Sequence, residues 1–402
     1  MTRRNTLVSV LDHNPGKFGS LEEYLLCLSI ELRNRGCQSV LAFPDAVTPE
    51  IQARFEQAGV VLEQFSSASS FSTFAGALRI LRTHRPTAVH FHFFDHFSLL
   101  PLLAASAGPD LVVFTDHCRL PQKRGLTRLK CKLVDRLLLG PLRVQVVAVS
   151  EHVKRALVEC YGTSPEHVKV IRNGVNLQRF GKPKRSDRSA LLTSFGIPDK
   201  SKVIVTAAHF IPEKGLADLL DAASQIHAVS PDVAFLIVGD GPLLQPLLNK
   251  SRELGLTGVV HFTGLRSDVD RFMAAADVVV VPSVWQEPAG LVVVEAMASA
   301  CPVVATRVGG IPEYLAEQHT GLLVEPHQPS QLSQAILTLL ESPAMATAMG
   351  AAGRVRAEAL FSMSRWVGET MDLYDSVLPG IPRQPEVPQR VVPADQQSIA
   401  NR

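Results

Sequence analysis

The sequence predicts an α/β protein of two Rossmann-like domains, each a doubly wound parallel sheet with helices on both faces. Short runs rich in β-branched residues alternate with helical patterns along most of the chain, which is typical of such sheets. The alternation restarts after a polar segment at 181–202. Because 402 residues exceed what one hydrophobic core usually holds, two domains are expected.

The first domain is predicted over residues 1–180. It starts with the apolar run TLVSVL, and a helical pattern follows from Leu21 to Arg35. Four further runs predict strands: SVLAFP, AVHFHF, LVVFTDH and VQVVAVS. Continuous apolar runs of this kind suit strands that are covered on both faces.

The second domain is predicted over residues 181–360. Its strands are expected at VIVTAAH, AFLIVGDGP, VVHFTG, DVVVVPS and CPVVA, with a helix after Lys214. A last helix at 361–379 is expected to return to the first domain, and the polar, proline-rich stretch 380–402 predicts a disordered tail. Ligands of such sheets bind beyond the carboxyl ends of the strands, so the site is expected in a cleft between the domains.

The composition argues against several classes of protein. The 40 basic and 38 acidic side chains nearly cancel, so no overall field favours nucleic acid. The six cysteines lack metal-ligand spacing and are expected to be reduced thiols of a cytoplasmic protein. The first apolar run is too short for a signal peptide. Prolines, a glycine and an aspartate interrupt the longest apolar stretch, from Phe97, so no transmembrane helix is expected.

Two glutamates stand out in the segment EPAGLVVVE. Glu287 precedes a predicted helix start near Gly290, and Glu295 lies about one and a half turns inside that helix. An ionised carboxylate in so apolar a stretch costs several kcal/mol, on the order of its lost hydration, unless it has polar partners. Glu287 is expected to be the mobile carboxylate and Glu295 the fixed one. The alternative is that both simply flank a helix start.

The segment SVWQEPAGLVVVEAMASACPVVATRVGGIPEYL resembles the donor-binding signature of the retaining nucleotide-sugar glycosyltransferases of family four, which have the GT-B fold. Four other segments agree with that family in order: GSLEEYLLCLSIELRNRG, VIRNGVNLQRF, IPEKGLADLL and LIVGDGPLLQPLL. The resemblance covers roughly residues 5–375. It implies a metal-independent, cofactor-free hexosyltransferase that moves a sugar from a UDP- or GDP-sugar to an acceptor, in cell-surface polysaccharide or glycolipid biosynthesis.

The resemblance also implies roles for the residues of this signature. Glu295 would accept hydrogen bonds from the two ribose hydroxyls of the nucleotide, and Glu287 would contact the donor sugar as a catalytic residue. The backbone amides of Gly290, Leu291 and Val292 would face the sugar and the diphosphate, at the positive end of the helix dipole.

A second cluster is implied at HFIPEKG. Lys214 would hold the leaving diphosphate, while His209 stands where relatives usually carry an arginine. A neutral imidazole offers one donor and no net charge, so diphosphate stabilisation is expected to be weaker or pH-dependent there. The alternative for Lys214 is an ordinary solvated lysine before a helix.

In the first domain, the resemblance implies two contacts with the donor. Gly19 would let the backbone approach the phosphates, with Ser20 in place of the usual second glycine. His117, at the end of the predicted strand LVVFTDH, would lie at the active-site edge near the donor sugar. An ordinary loop glycine and a structural histidine are the alternatives, because the chain has 13 histidines.

Paired carboxylates would also suit double displacement with Glu287 as the nucleophile. The resemblance implies instead a same-face substitution, in which the departing phosphate oxygen helps to remove the acceptor's proton. The motif DVD at 268–270 matches a metal-chelating pattern only superficially, and it is predicted to cap the following helix.

The stretch 119–143 holds eight basic residues and one acid, and it can form a helix with leucines on one side. Such a helix could contact anionic lipid or an acidic acceptor, or it could pack its leucines on the sheet. Two other functions stay open. A non-catalytic nucleotide-sugar binder would suit the departures at His209 and at Ala300, where relatives usually carry glycine. An epimerase or phosphorylase on the same fold is a weaker alternative.

Overall fold

The computed structural model of the chain describes residues 5–66, 68–95, 97–117, 126–142, 144–181 and 185–378. It contains two parallel sheets with helices on both faces of each, which confirms the predicted fold class. The predicted tail, 380–402, and part of the basic stretch, 119–125 and Arg143, lie outside the described residues.

The first sheet has seven parallel strands in the order β3-β2-β1-β4-β5-β6-β7. Its strands are β1 (Thr6–Leu11), β2 (Gln38–Phe43), β3 (Val61–Gln64), β4 (Ala88–His92), β5 (Leu111–Asp116), β6 (Val144–Ala148) and β7 (Val168–Val170). Its helices are α1 (Ser20–Asn34), α2 (Pro49–Gln57), α3 (Ser70–His84), α4 (Leu100–Ser106), α5 (Leu126–Val134) and α6 (Glu151–Ala156). The order reverses between β1 and β4, where doubly wound sheets open a crevice for ligands.

The second sheet has six parallel strands in the order β10-β9-β8-β11-β12-β13. Its strands are β8 (Lys202–Ala207), β9 (Val233–Val238), β10 (Val260–Phe262), β11 (Val278–Val281), β12 (Val303–Thr306) and β13 (Gly321–Val324). The helices that follow α6 are α7 (Arg185–Ser194), α8 (Leu216–Val229), α9 (Leu244–Glu253), α10 (Val269–Ala275), α11 (Leu291–Ala298), α12 (Ile311–Tyr314), α13 (Pro329–Glu341), α14 (Pro343–Leu360) and α15 (Met363–Tyr374).

The last helix, α15, packs against α1 beside the first sheet. The rings of Trp366 and Tyr24 stack with centroids 3.8 Å apart, and the Tyr24 hydroxyl donates to Thr370 Oγ1 at 2.9 Å. The Tyr374 hydroxyl lies 2.5 Å from His90 Nδ1 on β4. Helix α15 therefore packs into the layer of the first sheet, although it follows the strands of the second sheet in sequence.

Every strand expected from an apolar run is present, and three short strands were not expected. These are β3, β7 and β13, which all lie at a sheet edge. β3 reads VLEQ and is only partly buried. Because edge strands need not be apolar on both faces, their sequences carry a weaker pattern. The domain limits at 180 and 360 stay predictions.

No single helix in the described part of the chain is long and apolar enough to cross a membrane. Helices α13 and α14 pass that test of length and composition only when taken together, and they bend by 100° at their junction. Both contribute buried residues to the core of the second sheet, among them Leu332, Ile336 and Met349.

Candidate active site

A cavity of about 270 Å³ lies between the carboxyl ends of the two sheets. The first sheet side contributes Leu21, Phe93 and His117, and Asn173 and Trp366 complete that side. The second sheet side contributes Thr206, Ala207, Ala208, Lys214, Val281, Pro282, Ser283, Glu287, Pro288, Ala289, Gly290, Leu291, Val292 and Ile311. Six residues predicted from the sequence therefore meet here: His117, Lys214, Glu287, Gly290, Leu291 and Val292.

Glu287 is held in place by two donors. Lys214 Nζ lies 2.5 Å from its Oε1, and Ser283 Oγ donates to the same oxygen at 2.7 Å. The residue is 9% exposed. The expectation that Glu287 is the mobile carboxylate is wrong, because a neighbouring cation and a hydroxyl fix a group that the loop sequence alone leaves free.

Two glycines let the loops that carry this pair approach each other. Gly215 follows Lys214 at φ +62°, and a Cβ there would lie 2.0 Å from the Pro282 carbonyl oxygen. Gly309 has φ +56°, and a Cβ there would lie 2.1 Å from the Glu287 carbonyl oxygen. Side chains at either position would push the loops apart.

Helix α11 points its amino end at the cavity. Gly290 occupies its N-cap position, and Gly290, Leu291 and Val292 all line the cavity. The first amides of a helix lack intrahelical acceptors, and the helix dipole places positive potential there. With the Lys214 ammonium nearby, this end of the cavity suits an anion such as a phosphate.

Glu295, the fifth residue of α11, lies outside the cavity lining. The Ser20 hydroxyl donates to its Oε1 at 2.9 Å. Burial raises the pKa of the Glu295 carboxyl, while the Ser20 hydrogen bond and the Arg179 and Lys17 charges lower it. The polar partner that the apolar surroundings require therefore comes from α1, on the other side of the cleft.

His117 lies in an aromatic cluster at the end of β5. Its ring stacks on Phe93 with centroids 4.6 Å apart, and its Nε2 lies 3.1 Å from His92 Nδ1. Burial, with a smaller effect of the His13 charge, lowers the pKa of His117 to about 3. The imidazole is neutral near pH 7, so it can donate or accept a hydrogen bond but carries no charge.

Phe93 has a strained backbone, with φ +68°. A bulky residue in the left-handed region costs on the order of 1–3 kcal/mol, and such strain clusters at functional sites. Phe93 directly follows β4 and lines the cavity. It places an aromatic ring where the apolar face of a sugar or acceptor could pack.

Gly19 and His209 do not line the cavity. The Gly19 amide donates to Glu22 Oε2 at 2.8 Å, which closes the first turn of α1. His209 is exposed, and its Nδ1 donates to the Asp240 carbonyl oxygen at 2.8 Å. The Gly19 amide and His209 Nδ1 therefore already donate hydrogen bonds within the chain. Binding of the nucleotide-sugar by these two residues stays a prediction.

Several cavity residues carried no expectation from the sequence. Phe93 follows β4 directly and Ser283 lies two residues beyond β11, so the rule that sites lie at the carboxyl ends of strands could have found them. Asn173 is 5% exposed, and its Oδ1 has no hydrogen-bond partner within the described part of the chain. Trp366 arrives from α15, and no local pattern could place it there.

The motif DVD behaves differently from the prediction. Asp268 takes the N-cap position of α10, but its side chain does not accept from the helix amides. It accepts instead from Arg266 at 2.8 Å and from Arg271 at 3.2 Å. The two guanidinium groups are stronger partners for a carboxylate than an amide is. Among the described residues, no three His, Cys, Asp or Glu side chains form a group that could hold a metal ion.

Comparison with known proteins identifies the family. The model of Glycosyltransferase Family 4 matches residues 21–179, and that of glycosyl transferases group 1 matches residues 187–356. A GDP-mannose-dependent alpha-(1-6)-phosphatidylinositol monomannoside mannosyltransferase of Mycolicibacterium smegmatis is 30% identical over 286 residues, which are 69% of this chain and 73% of the relative. The chain belongs to glycosyltransferase family 4.

Another relative of this family 4 chain is the GDP-mannose-dependent monoacylated alpha-(1-6)-phosphatidylinositol monomannoside mannosyltransferase of Corynebacterium glutamicum. It is 33% identical over 224 residues, which are 53% of this chain and 57% of the relative. The chain spans about half of the length of the first curated relatives that it matches.

Solved structures agree with the family 4 fold. A glycosyltransferase from Rickettsia africae superposes with a TM-score of 0.81 at 19% identity, covering 94% of this chain and all of that one. Anabaena HepE in complex with UDP gives a TM-score of 0.76 at 24% identity, covering 92% of this chain and all of that one. At such identities the likeness establishes the GT-B fold alone.

Proposed function

We propose that this family 4 chain is a retaining, metal-independent glycosyltransferase that takes its sugar from a nucleoside diphosphate donor. The observation that carries the proposal is the Lys214–Glu287 pair beside the amino end of α11. Positive charge and free helix amides suit a diphosphate, and the adjoining carboxylates of Glu287 and Glu295 suit the hydroxyls of a sugar and a ribose.

Each group then has a distinct role. Lys214 and the first amides of α11 stabilise the negative charge that grows on the departing diphosphate. Glu295 accepts from the ribose hydroxyls. Glu287 and the neutral His117 accept from or donate to hydroxyls of the donor sugar and hold it in place. Roles for the Gly19 amide and for His209 at the phosphates require each to exchange its present intramolecular partner.

The chemical step is a substitution on one face of the sugar. The bond between the anomeric carbon and the diphosphate oxygen breaks, and the acceptor oxygen bonds to the same face of that carbon. The acceptor's proton passes to the departing phosphate oxygen, so the products are a nucleoside diphosphate and a glycoside. Glu287 Oε1 already accepts from Lys214 and Ser283, which favours binding over attack as a nucleophile.

The donor base and the acceptor are proposed by analogy. HepE is described in complex with UDP, and the two mannosyltransferase relatives are named GDP-mannose-dependent. We therefore propose a UDP- or GDP-sugar, and an acceptor that is a glycan or a lipid-linked molecule of cell-surface polysaccharide or glycolipid biosynthesis.

The test is release of UDP or GDP from a panel of UDP- and GDP-sugars, measured with and without glycan and lipid fractions as acceptors. The proposal predicts release that depends on an acceptor, and a product whose anomeric configuration, read by NMR, matches the donor's. Release only with inversion would contradict retention. Donor binding without release in any mixture would instead support a non-catalytic binder, the alternative that rests on His209 in place of the usual arginine.

A surface on the first sheet side points to an anionic membrane as a partner. We call it the leucine face, and it consists of Leu99, Leu102, Leu129, Leu133 and Leu137. Their exposures are 63, 41, 63, 56 and 58%. Residues 129, 133 and 137 recur every four positions on α5 and on the π-helical turn Asp135–Leu139 that continues it. Helix α4 lies alongside that turn. These three leucines are exposed, so the alternative that the helix packs its leucines on the sheet is wrong for them.

Charge on the same elements complements a lipid surface of negative sign. Lys130, Lys132 and Arg136 are exposed, whereas Asp135 is buried. The Asp135 carboxylate accepts from the Ser164 amide at 3.1 Å and lies 3.2 Å from His167 Nδ1. Basic groups beside exposed leucines are typical of helices that lie in the interface of anionic membranes. We propose that the protein acts at the cytoplasmic face of the membrane.

Vesicle sedimentation tests this contact. Vesicles with phosphatidylglycerol are expected to bind the wild type, and vesicles of phosphatidylcholine alone are not. Leu129→Ser with Leu133→Ser should reduce binding at least several-fold, because each exposed leucine loses its apolar contact with the bilayer. Val229→Ser is the matched control, since Val229 is 68% exposed on α8 of the second sheet side. Equal binding of the leucine variant would contradict the proposal.

A further inference from the structure

Three side chains around the start of α1 form hydrogen bonds with residues far along the chain. Lys17 Nζ donates to the Arg266 carbonyl oxygen at 3.3 Å. Ser20 Oγ donates to Glu295 Oε1 at 2.9 Å. Glu23 Oε1 accepts from Asn176 Nδ2 at 2.6 Å. Ser20 and Glu23 lie three positions apart in the first turn of α1 and therefore share one side of it, while Lys17 precedes the helix.

The Ser20 contact differs from the other two because it ends on a carboxylate of the proposed nucleoside site. Ser20 is 9% exposed and lies 275 positions from Glu295 in sequence. Its hydroxyl occupies one acceptor position of Oε1. A carboxylate offers about four such positions on its two oxygens, so two ribose hydroxyls can bind Glu295 while Ser20 stays in place.

We propose that Ser20 is a positioning residue of the nucleoside site. This inference rests on the proposed function. The Ser20 hydroxyl fixes the orientation of the Glu295 carboxylate and stabilises its negative charge, so the ribose meets a preorganised acceptor. Because Ser20 belongs to α1 and Glu295 to α11, the same bond ties nucleoside binding to the approach of the two sheets.

The experiment is calorimetric titration of the full chain with UDP and GDP, and with their 2′,3′-dideoxy forms, which lack the ribose hydroxyls. For the nucleotide that binds the wild type, Ser20→Ala is expected to weaken binding about threefold to tenfold, the range for one hydrogen bond. Ser20→Thr, which keeps the hydroxyl, should restore most of the affinity. With the dideoxy nucleotide, Ser20→Ala should bind as the wild type does.

Two further variants separate an action through Glu295 from a structural effect. The double variant Ser20→Ala, Glu295→Gln is expected to bind no more weakly than Glu295→Gln alone, because the two residues act as one unit. Ser29→Ala is the matched control. Ser29 is a buried serine of the same helix, and its hydroxyl lies 2.8 Å from Ser39 Oγ, within the first sheet layer. Its loss should leave nucleotide affinity unchanged.

Three outcomes would overturn the inference. The first is that Ser20→Ala binds the nucleotide as tightly as the wild type or more tightly. The second is that Ser20→Ala loses affinity for the dideoxy nucleotide by the same factor. The third is that the losses of affinity from Ser20→Ala and Glu295→Gln add fully in the double variant. If Glu295→Gln weakens binding in the same series, the proposed function stands and the role of Ser20 alone fails. If the wild type binds neither UDP nor GDP, both fail together.

Discussion

Among single residues, Lys214 forms a partly buried ion pair inside the proposed donor site. Its side chain is 29% exposed, and its Nζ lies 2.5 Å from Oε1 of Glu287, whose side chain is 11% exposed. Removing one partner of a partly buried pair leaves the other charge without compensation, which costs more than the pair itself contributes. Lys214 therefore affects both the stability of the loop that carries Glu287 and the charge available to a diphosphate.

Lys214→Ala is predicted to lower the affinity for the preferred nucleoside diphosphate at least tenfold, because a charge-assisted contact is worth about 1.5–3 kcal/mol. It should also lower the free energy of unfolding by about 1–3 kcal/mol, since Glu287 loses its cation. Calorimetric titration and urea denaturation measure the two effects.

Lys250→Ala is the matched control for this prediction. Lys250 Nζ pairs with Asp221 at 2.7 Å, and both side chains are about one third exposed. Loss of such a surface pair should change stability by about 1 kcal/mol or less and leave nucleotide affinity intact. Unchanged nucleotide affinity in Lys214→Ala would show that this lysine does not hold the diphosphate.

Among the elements, β4 and the end of β5 carry three histidines next to the site. His90 and His92 are buried, and His117 is partly buried. Burial lowers the pKa of His90 to about 3 and that of His117 to about 3, and it lowers the pKa of His92 as well. His90 lies between Tyr374 of α15 and Thr115 of β5, at 2.5 and 2.6 Å. These strands therefore fold with neutral imidazoles.

Stability is predicted to fall as the pH falls below about 6.5. In that range the unfolded chain binds protons at His90 and His117, whose unfolded pKa is about 6.5, whereas in the native state these two histidines bind protons only near pH 3. His90 and His117 together should lower the free energy of unfolding by about 2 kcal/mol between pH 6 and pH 5. Urea denaturation across this range measures the slope.

His117→Gln should show a shallower pH slope than the wild type in the same series. It removes one titrating group of lowered pKa and keeps a hydrogen-bonding side chain at the position. An equal or steeper slope in the variant would contradict the assignment of His117 as a neutral histidine with a lowered pKa.

For the whole molecule, contacts between the two halves set the shape of the cleft. Glu313 of α12 accepts from the amides of Glu151 and His152 at 2.8 and 2.6 Å, which satisfies the amino end of α6. The Tyr314 hydroxyl donates to the Val149 carbonyl oxygen at 2.8 Å. These hydrogen bonds join Glu313 and Tyr314, of α12, to residues 149–152 at the start of α6. They therefore connect the two sides of the cleft at a second place, besides the contacts of α1.

The sequence predicts the fold better than it predicts the contacts of the site. Apolar runs and helical spacing locate the strands buried on both faces, but not the edge strands such as β3. The family motifs predict Lys214, Glu287 and the start of α11 as site residues, and the fold places all three at one cavity. The Ser20–Glu295 bond and the stacking of Trp366 join residues far apart in sequence, and only the packed chain determines such pairs.

The most direct test of the donor site is titration of the wild type and of Glu295→Ala with UDP, GDP and ADP. The Glu295→Ala variant loses the charge-assisted hydrogen bonds between this carboxylate and the ribose, which are worth about 1.5–3 kcal/mol. Its affinity for one preferred nucleotide should therefore fall about tenfold to a hundredfold. Matching circular dichroism and thermal unfolding of the two proteins show that the variant is folded. If no nucleotide binds the wild type, or if folded Glu295→Ala binds equally well, α11 does not form a nucleotide site and the account is contradicted.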